Sequence, residues 1–228
     1  MPLTGLSRIR IRDGRQLGKP RPRLLSCQQQ FAKTGAPTAM STPAADLYRR
    51  HRFTADEYHR MGESGLFGED DRVELIEGEI IEMTPIGSRH AGTVKRLLQR
   101  LSQAVGTRAI VAVQDPLALA TRSEPEPDIA LLRPRDDFYT TSHPGPADVL
   151  LLVEVAEASL RYDREVKIPL YARHGIPAVW LVDLAGRELT AYQQPAGDGY
   201  LQQHVITDLA AVALPGLSDL TVDLSGLF

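Results

Sequence analysis

Between Val149 and Val155 the chain reads Val-Leu-Leu-Leu-Val-Glu-Val, an apolar run of strand length broken by a single carboxylate. A strand that is apolar on both sides must be covered on both sides, which places it at the centre of an α/β sheet. Ala178-Val179-Trp180-Leu181-Val182 is a second strand of the same kind. Between them a helical pattern runs from Ser159 or Tyr162 to His174 and stops before Gly175. Pro169 interrupts it, because its ring removes a backbone donor and clashes with the preceding turn. A helix start near Val166, with Lys167 at the N-terminal end, is therefore the alternative.

The flanking segments extend this scheme. Thr54-Ala55-Asp56-Glu57 has the spacing of a capping box and starts a helix that runs to about Met61. Arg72–Ile76 and Glu79–Met83 flank Glu77-Gly78 as a hairpin. From Ser88, the apolar residues Val94, Leu97, Leu98, Leu101 and Val105 fall at helical spacing. Strands are expected at Ala109–Val113, Leu117–Ala120 and Pro127–Leu132. A further hairpin, Arg187–Gln193 with Tyr200–Ile206, is expected around Gly197-Asp198-Gly199. The order of elements predicts an α/β (α+β) fold, a central mixed sheet flanked by helices, with an N-terminal hairpin.

With 228 residues, 43% of them hydrophobic, the chain suffices for one sizeable core. No run of 18 apolar residues is present, so no membrane span is expected. The lone cysteine, Cys27, excludes an internal disulfide framework, and a reducing cytoplasmic location is the simplest expectation. Charge is unevenly spread. Residues 1–50 carry ten cations against Asp13 and Asp46, so the remaining 178 residues sum to −11. Residues 1–45 lack an apolar period and are expected to be a disordered basic extension ahead of a domain over 46–228. They read as an unstructured tail, or as a segment upstream of a start at Met40, with a nucleic-acid-binding arm as the alternative. An acidic folded part is a poor electrostatic match for nucleic-acid phosphates, which counts against such a substrate.

Two carboxylates carry the chemistry. Asp128 follows Pro127 at a strand start, and Glu154 interrupts the apolar strand. A buried carboxylate is costly unless it is paired, hydrogen-bonded or bound to metal. If their strands are neighbours, the two acids can hold a hard divalent cation, since Mg²⁺ requires only one or two carboxylates beside water and phosphate oxygens. Lys167, on the helix after Glu154, could orient water or stabilise charge on a phosphate. The plain alternative is a structural ion pair between Glu154 and Lys167 or Arg164.

Several ordered motifs resemble one family. Arg72-Val73-Glu74-Leu75-Ile76-Glu77-Gly78-Glu79 resembles the R-Y-E-L-I-D-G-E signature of the Uma-two family. Ser88-Arg89-His90 is similar to its S-x-R-H helix start, and Glu126-Pro127-Asp128 to its Q-P-D. Val153-Glu154-Val155, Asp163 to Lys167, Tyr171-Ala172 and Val179-Trp180-Leu181-Val182-Asp183 follow its V-E-V … D-x-x-x-K-x-x-x-Y-A … Y-W-L-V-D pattern. The resemblance covers roughly Phe53 to Tyr192. It implies a restriction-endonuclease-like PD-(D/E)XK fold, with Asp128, Glu154 and the Val155 carbonyl as metal ligands. It also implies Lys167 as the lysine, Glu74 as an auxiliary acid, and Mg²⁺ or Mn²⁺ as the cofactor. Ala156 stands where E-x-K places its lysine, so the role passes to Lys167 on the helix.

The expected activity is metal-dependent endonucleolytic hydrolysis of DNA. The alternative is a nuclease fold retained as a binding or scaffold protein without turnover. A homodimer is expected by analogy with restriction-like folds. His90 reads as a helix-start hydrogen bond, with phosphate contact or proton transfer as its other reading. Asp163 reads as a cap of the lysine-bearing helix, and Tyr171 and Trp180 as core residues.

Overall fold

The structure, a computed structural model, describes residues 49–68 and 71–228. The extension expected over residues 1–45 lies outside the described residues. Thr54 opens the first helix, α1 (Ala55–Glu63). Its hydroxyl accepts the Glu57 amide at 3.2 Å while the Glu57 carboxylate accepts the Thr54 amide at 2.9 Å, the reciprocal cap that Thr-x-x-Glu predicts. The hairpin follows as β1 (Val73–Ile76) and β2 (Glu79–Glu82), with Ile76 opposite Glu79. Its two turn residues, Glu77 and Gly78, both have positive φ (50° and 79°), as a tight two-residue hairpin turn requires.

Helix α2 (Ser88–Val105) buries Thr93, Val94, Leu97, Leu101 and Val105 on one stripe. It lies over a six-stranded sheet made of β3 (Ile110–Ala112), β4 (Ile129–Leu132), β5 (Val149–Ala156), β6 (Ala178–Asp183), β7 (Glu188–Ala196) and β8 (Gly199–Val205). Spatial order follows chain order, and β5–β6 is the parallel pair among antiparallel neighbours. All eight residues of β5 are buried, as its composition predicts for a central strand. Alternate residues feed two cores. Trp180 and Val182 pack on the α2 side, whereas Val179 and Leu181 pack with Ile168, Leu170 and Tyr171 on the other. Each such large side chain contributes roughly 1.5–3 kcal/mol through burial.

The parallel crossover from β5 to β6 holds three helical pieces: α3 (Leu160–Tyr162), a π turn (Asp163–Lys167) and α4 (Ile168–Arg173). Pro169 is the second residue of α4. It can neither donate to nor pack against the carbonyl four residues back, so the chain widens just before it. The Ile168 amide then reaches the Asp163 carbonyl. The helical segment thus starts at Leu160, earlier than the Val166 alternative, and Lys167 closes the π turn instead of opening a helix.

Two expectations about strands need correction. Leu117–Ala120 is no strand: Leu117 and Leu119 are buried, but the segment forms only an isolated bridge from Ala120 to Ser123. Its amides bond to the carbonyls of Pro125 and Pro144, at 2.9 and 3.0 Å, and Pro125 and Pro127 have no donors with which to extend a ladder. A C-terminal hairpin, β9 (Val212–Leu214) with β10 (Leu217–Val222), is present without having been predicted. Its Pro215-Gly216 turn, with Gly216 at φ 73°, is a recognisable signal. No helix among the described residues is long and apolar enough to cross a membrane.

Candidate active site

Antiparallel register sets the first two acids. Ile129 pairs with Val153, so Asp128 and Glu154, the next residues outward, come opposite one another and share a face. The two line a cleft of about 430 Å³ together with Glu74, His90, Val155, Asp163 and Lys167. The structure therefore brings together every residue singled out from the sequence as catalytic or metal-binding.

Lys167 arrives from the helical crossover. Its ammonium lies 3.1 Å from Glu74 Oε2 and 3.3 Å from Glu154 Oε1, and all three side chains are almost wholly buried. The π turn matters here, since it sets which residue of the crossover faces the end of β5. Ala156 is fully buried in the apolar cluster that contains Ile168 and Tyr171, so a lysine on the strand at that position would have to displace helix packing. Glu74 is held by the hairpin. Leu75 exchanges backbone hydrogen bonds with Glu124 at 3.3 and 2.7 Å, and Glu74 Oε2 accepts the Glu126 amide at 3.2 Å.

Asp128 is held from three sides. His90 Nε2 lies 3.1 Å from its Oδ2, the Val155 amide donates to the same oxygen at 2.9 Å, and Gln114 Nε2 donates to Oδ1 at 3.1 Å. Gln114 reaches back because it adopts φ 55° two residues after the end of β3. That positive φ in a residue with a side chain is a local strain of the kind that clusters at functional sites. Nothing in the sequence marks Gln114, a lone glutamine in a loop. His90 does not make the helix-start hydrogen bond expected of it: its ring contacts Asp128 and not the helix backbone. Asp163 is corrected as well. Ser159 is the N-cap of α3, and Asp163 is a buried member of the cleft that accepts the Ser159 hydroxyl at 2.7 Å. Tyr171 is fully buried, as expected of a core residue, yet its hydroxyl donates a short hydrogen bond to Glu154 Oε1.

The charges do not balance. Glu74, Asp128, Glu154 and Asp163 are buried acids facing Lys167 and His90. Burial pushes Glu154 up to about 8, despite the pull of Lys167 and the Tyr171 hydroxyl in the opposite direction. Burial likewise raises Asp163. Desolvation works against the Lys167 ammonium, but Glu154 and Glu74 outweigh it and hold its pKa above the ordinary lysine value. Burial also opposes ionisation of Asp128, but the bonds from His90, Val155 and Gln114 prevail and keep it below the usual carboxylate range. Its hydrogen bond to Asp128 raises His90 in turn. The result is a site that keeps its lysine charged and leaves a carboxylate partly protonated, short of positive charge.

That deficit fits a hard divalent cation. Asp128, Glu154 and the Val155 carbonyl supply oxygen donors, the set Mg²⁺ and Mn²⁺ accept. Among the described residues no group of three or more His, Cys, Asp or Glu side chains converges on one point. Two carboxylates and one carbonyl leave the rest of a six-coordinate shell to water and phosphate oxygens. His90 Nδ1 and the Tyr162 hydroxyl are buried without a hydrogen-bond partner among the described residues, and both residues line the cleft. Orphaned polar atoms at a cleft wall are the feature a bound polar ligand satisfies.

A mixed sheet whose strand ends carry two acids, met by a lysine from the crossover helix, defines a restriction-endonuclease-like α/β domain. The chain belongs to the Uma2 family, described as "Putative restriction endonuclease", which matches residues 55–225. The fold is similar to a crystal structure described as "a putative nuclease belonging to DUF820" from Anabaena variabilis ATCC 29413. That similarity has a TM-score of 0.60 and 18% sequence identity over 77% of this chain and 97% of the other. A likeness at that identity is one of fold. Comparison with curated proteins gave no match.

Proposed function

We propose that the protein is a Mg²⁺- or Mn²⁺-dependent nuclease that hydrolyses phosphodiester bonds in DNA. The observation that carries this reading is the convergence of Asp128, Glu154, Lys167 and Glu74 in one cleft from four separate elements. Asp128 and Glu154, with the Val155 carbonyl, would hold the cation, which would supply Lewis acidity at the phosphate and lower the pKa of a bound water. Lys167 directs its ammonium at the same point, where it orients the nucleophile and offsets the negative charge that builds on the phosphate. Glu74 fixes the lysine, and His90 and Gln114 fix Asp128. The expected homodimer belongs to the same proposal and is tested by light scattering on the purified chain.

A second reading is favoured by one observation: seven carboxylic side chains line the cleft against Arg72, Lys167 and His90, a poor match for a polyanionic substrate. On this reading the domain binds its partner through a nuclease fold without turnover. Thermal unfolding of wild type and Asp128→Ala, with and without Mg²⁺ or Mn²⁺, separates the two. A cation that binds only the folded protein raises its melting temperature. Stabilisation confined to wild type, followed by metal-dependent cleavage of DNA, supports the nuclease. If metal leaves both proteins unchanged and no cleavage is seen, the binding role is the better account.

A further inference from the structure

Helix α2 carries Arg89, Lys95, Arg96 and Arg100 and no Asp or Glu, although residues 51–228 sum to −11. On it lies a groove of about 520 Å³ lined by Arg96, Gln99, Arg100 and Gln103, with Ser225 and Gly226 alongside. Spacings of three, four and seven place the four helix residues on one face. That face lies away from Val94, Leu97, Leu101 and Val105, which are buried. The arginines are not consumed by local pairing. Arg96 donates to the neutral Gly226 carbonyl and has no carboxylate within ion-pair distance among the described residues. Arg100 stands 3.7 Å from Asp223, with the two side chains 41% and 50% exposed, a separation and exposure at which a pair is weak and screened by salt.

The same helix leads into the candidate active site. Gly87, its N-cap, and His90, in its first turn, line the cleft. Arg96 lies six residues beyond His90, about 9 Å along the helix axis and about 120° around it, so a chain leaving the cleft reaches the groove by passing over the N-terminal end of α2. The cleft itself is lined by seven carboxylic side chains against Arg72, Lys167 and His90. A polyanion cannot draw its affinity from such a lining, so the binding energy has to come from an adjacent surface.

We propose that the Arg96–Gln99–Arg100–Gln103 face of α2 binds the phosphodiester backbone of nucleic acid next to the segment held in the cleft. The proposal rests on the nuclease reading and names the surface that holds the substrate. The composition of the groove selects this partner over an acidic protein. Phosphate oxygens require only donors, which arginine and glutamine supply. A protein interface needs apolar anchors at its centre, and no apolar side chain among the described residues lines this groove.

The test is fluorescence anisotropy of labelled single-stranded and duplex DNA with the full chain, in EDTA, at stepped salt concentrations. Each phosphate contact contributes about 0.7 (single strand) to 0.9 (duplex) to the slope of log affinity against log salt. Arg96→Gln/Arg100→Gln should lower that slope by about 1.4–1.8 and weaken binding about ten-fold at low salt. Gln99→Glu/Gln103→Glu, which leaves both arginines in place, should weaken binding on both DNA forms. Melting curves of each variant confirm that it folds.

An unchanged slope in Arg96→Gln/Arg100→Gln, with wild type binding DNA, overturns the inference whether or not the protein cuts. So does wild type that binds no DNA, or binds an acidic polypeptide such as polyglutamate in its place. Arginine-dependent binding without any Mg²⁺-dependent cleavage leaves this inference standing and removes the nuclease reading.

Discussion

The ammonium of Lys167 lies 3.3 Å from Glu154 Oε1, with the two side chains only 5% and 4% exposed. A parallel crossover brings them together, and the same ammonium holds Glu74 at 3.1 Å. Removing the lysine leaves two buried carboxylates without a counter-charge, and breaking a buried pair from one side costs about 3–5 kcal/mol. Lys167→Met is therefore expected to lose stability of up to that order in urea unfolding at pH 9, above the value of about 8 to which burial pushes Glu154 in the wild type. At pH 5 a proton on Glu154 removes its uncompensated charge, so the loss should be clearly smaller. Equal losses at both pH values would show that packing of the lysine stem, and not its charge, is what matters.

Stability of the metal-free protein should fall as pH rises from acid to neutral. Burial raises Glu154 from its ordinary 4.5 to about 8. A group whose pKa is raised by folding contributes stability that is complete below its unfolded value and lost as pH climbs through its folded value. The window for Glu154 thus runs from about 4.5 to about 8. His90, raised from 6.5 by its bond to Asp128, adds in the same direction above its ordinary value. Asp128 is lowered and acts with the opposite sign, but only below its ordinary 3.8. Urea midpoints measured between pH 5 and 8 should decline in wild type and decline less in Glu154→Gln. A flat or rising wild-type profile contradicts this arrangement of charge.

Much of this site is legible in the sequence because burial makes a carboxylate conspicuous. Glu154 announces itself by interrupting five apolar residues, and Asp128 by following a proline at a strand start. The central strands and the capped first helix are legible for the same reason, since periodicity and capping are local. What is not legible depends on tertiary geometry. The π turn that aims Lys167 arises from Pro169 acting on its predecessors, and its outcome is one of two that the sequence permits. Gln114 reaches Asp128 only through a positive φ, and His90 and Asp163 gain their roles from partners 38 residues distant for His90 and from burial for Asp163. Leu117–Ala120 misleads because Leu117 and Leu119 are buried in the core cluster beside the sheet without joining its ladder.

Metal binding should release a proton. With Glu154 pushed up to about 8, the site is partly protonated at neutral pH, and a cation must displace that proton to use the carboxylate. Calorimetric titration with Mg²⁺ or Mn²⁺ in buffers of different ionisation enthalpy should detect the release at pH 7. Apparent affinity should rise with pH until about 8 and then level off. Tyr171→Phe removes the hydroxyl that stabilises the charged form of Glu154 and should move this rise to higher pH. Affinity independent of pH in wild type would mean that Glu154 is not a ligand.

The hairpin that carries Glu74 depends on Gly78. This residue has φ 79°, and a Cβ placed on it would lie 2.7 Å from the Arg52 Cβ and 3.0 Å from the Arg52 backbone. Its amide and carbonyl are both committed, to the Arg122 carbonyl at 2.7 Å and the Phe53 amide at 2.9 Å, so the turn cannot shift to make room. Gly78→Ala therefore meets unfavourable φ and backbone collision together, and should cost about 1–3 kcal/mol or more. Gly65, at φ 75°, has nothing within 4 Å of its added Cβ and isolates the conformational part. Gly65→Ala should cost clearly less, on the order of 1 kcal/mol. Because the hairpin holds Glu74 against Lys167, Gly78→Ala should also diminish the stabilisation by Mg²⁺ in a melting experiment, whereas Gly65→Ala should not. If both substitutions cost the same and leave the metal response intact, the close approach of Arg52 does not constrain the hairpin.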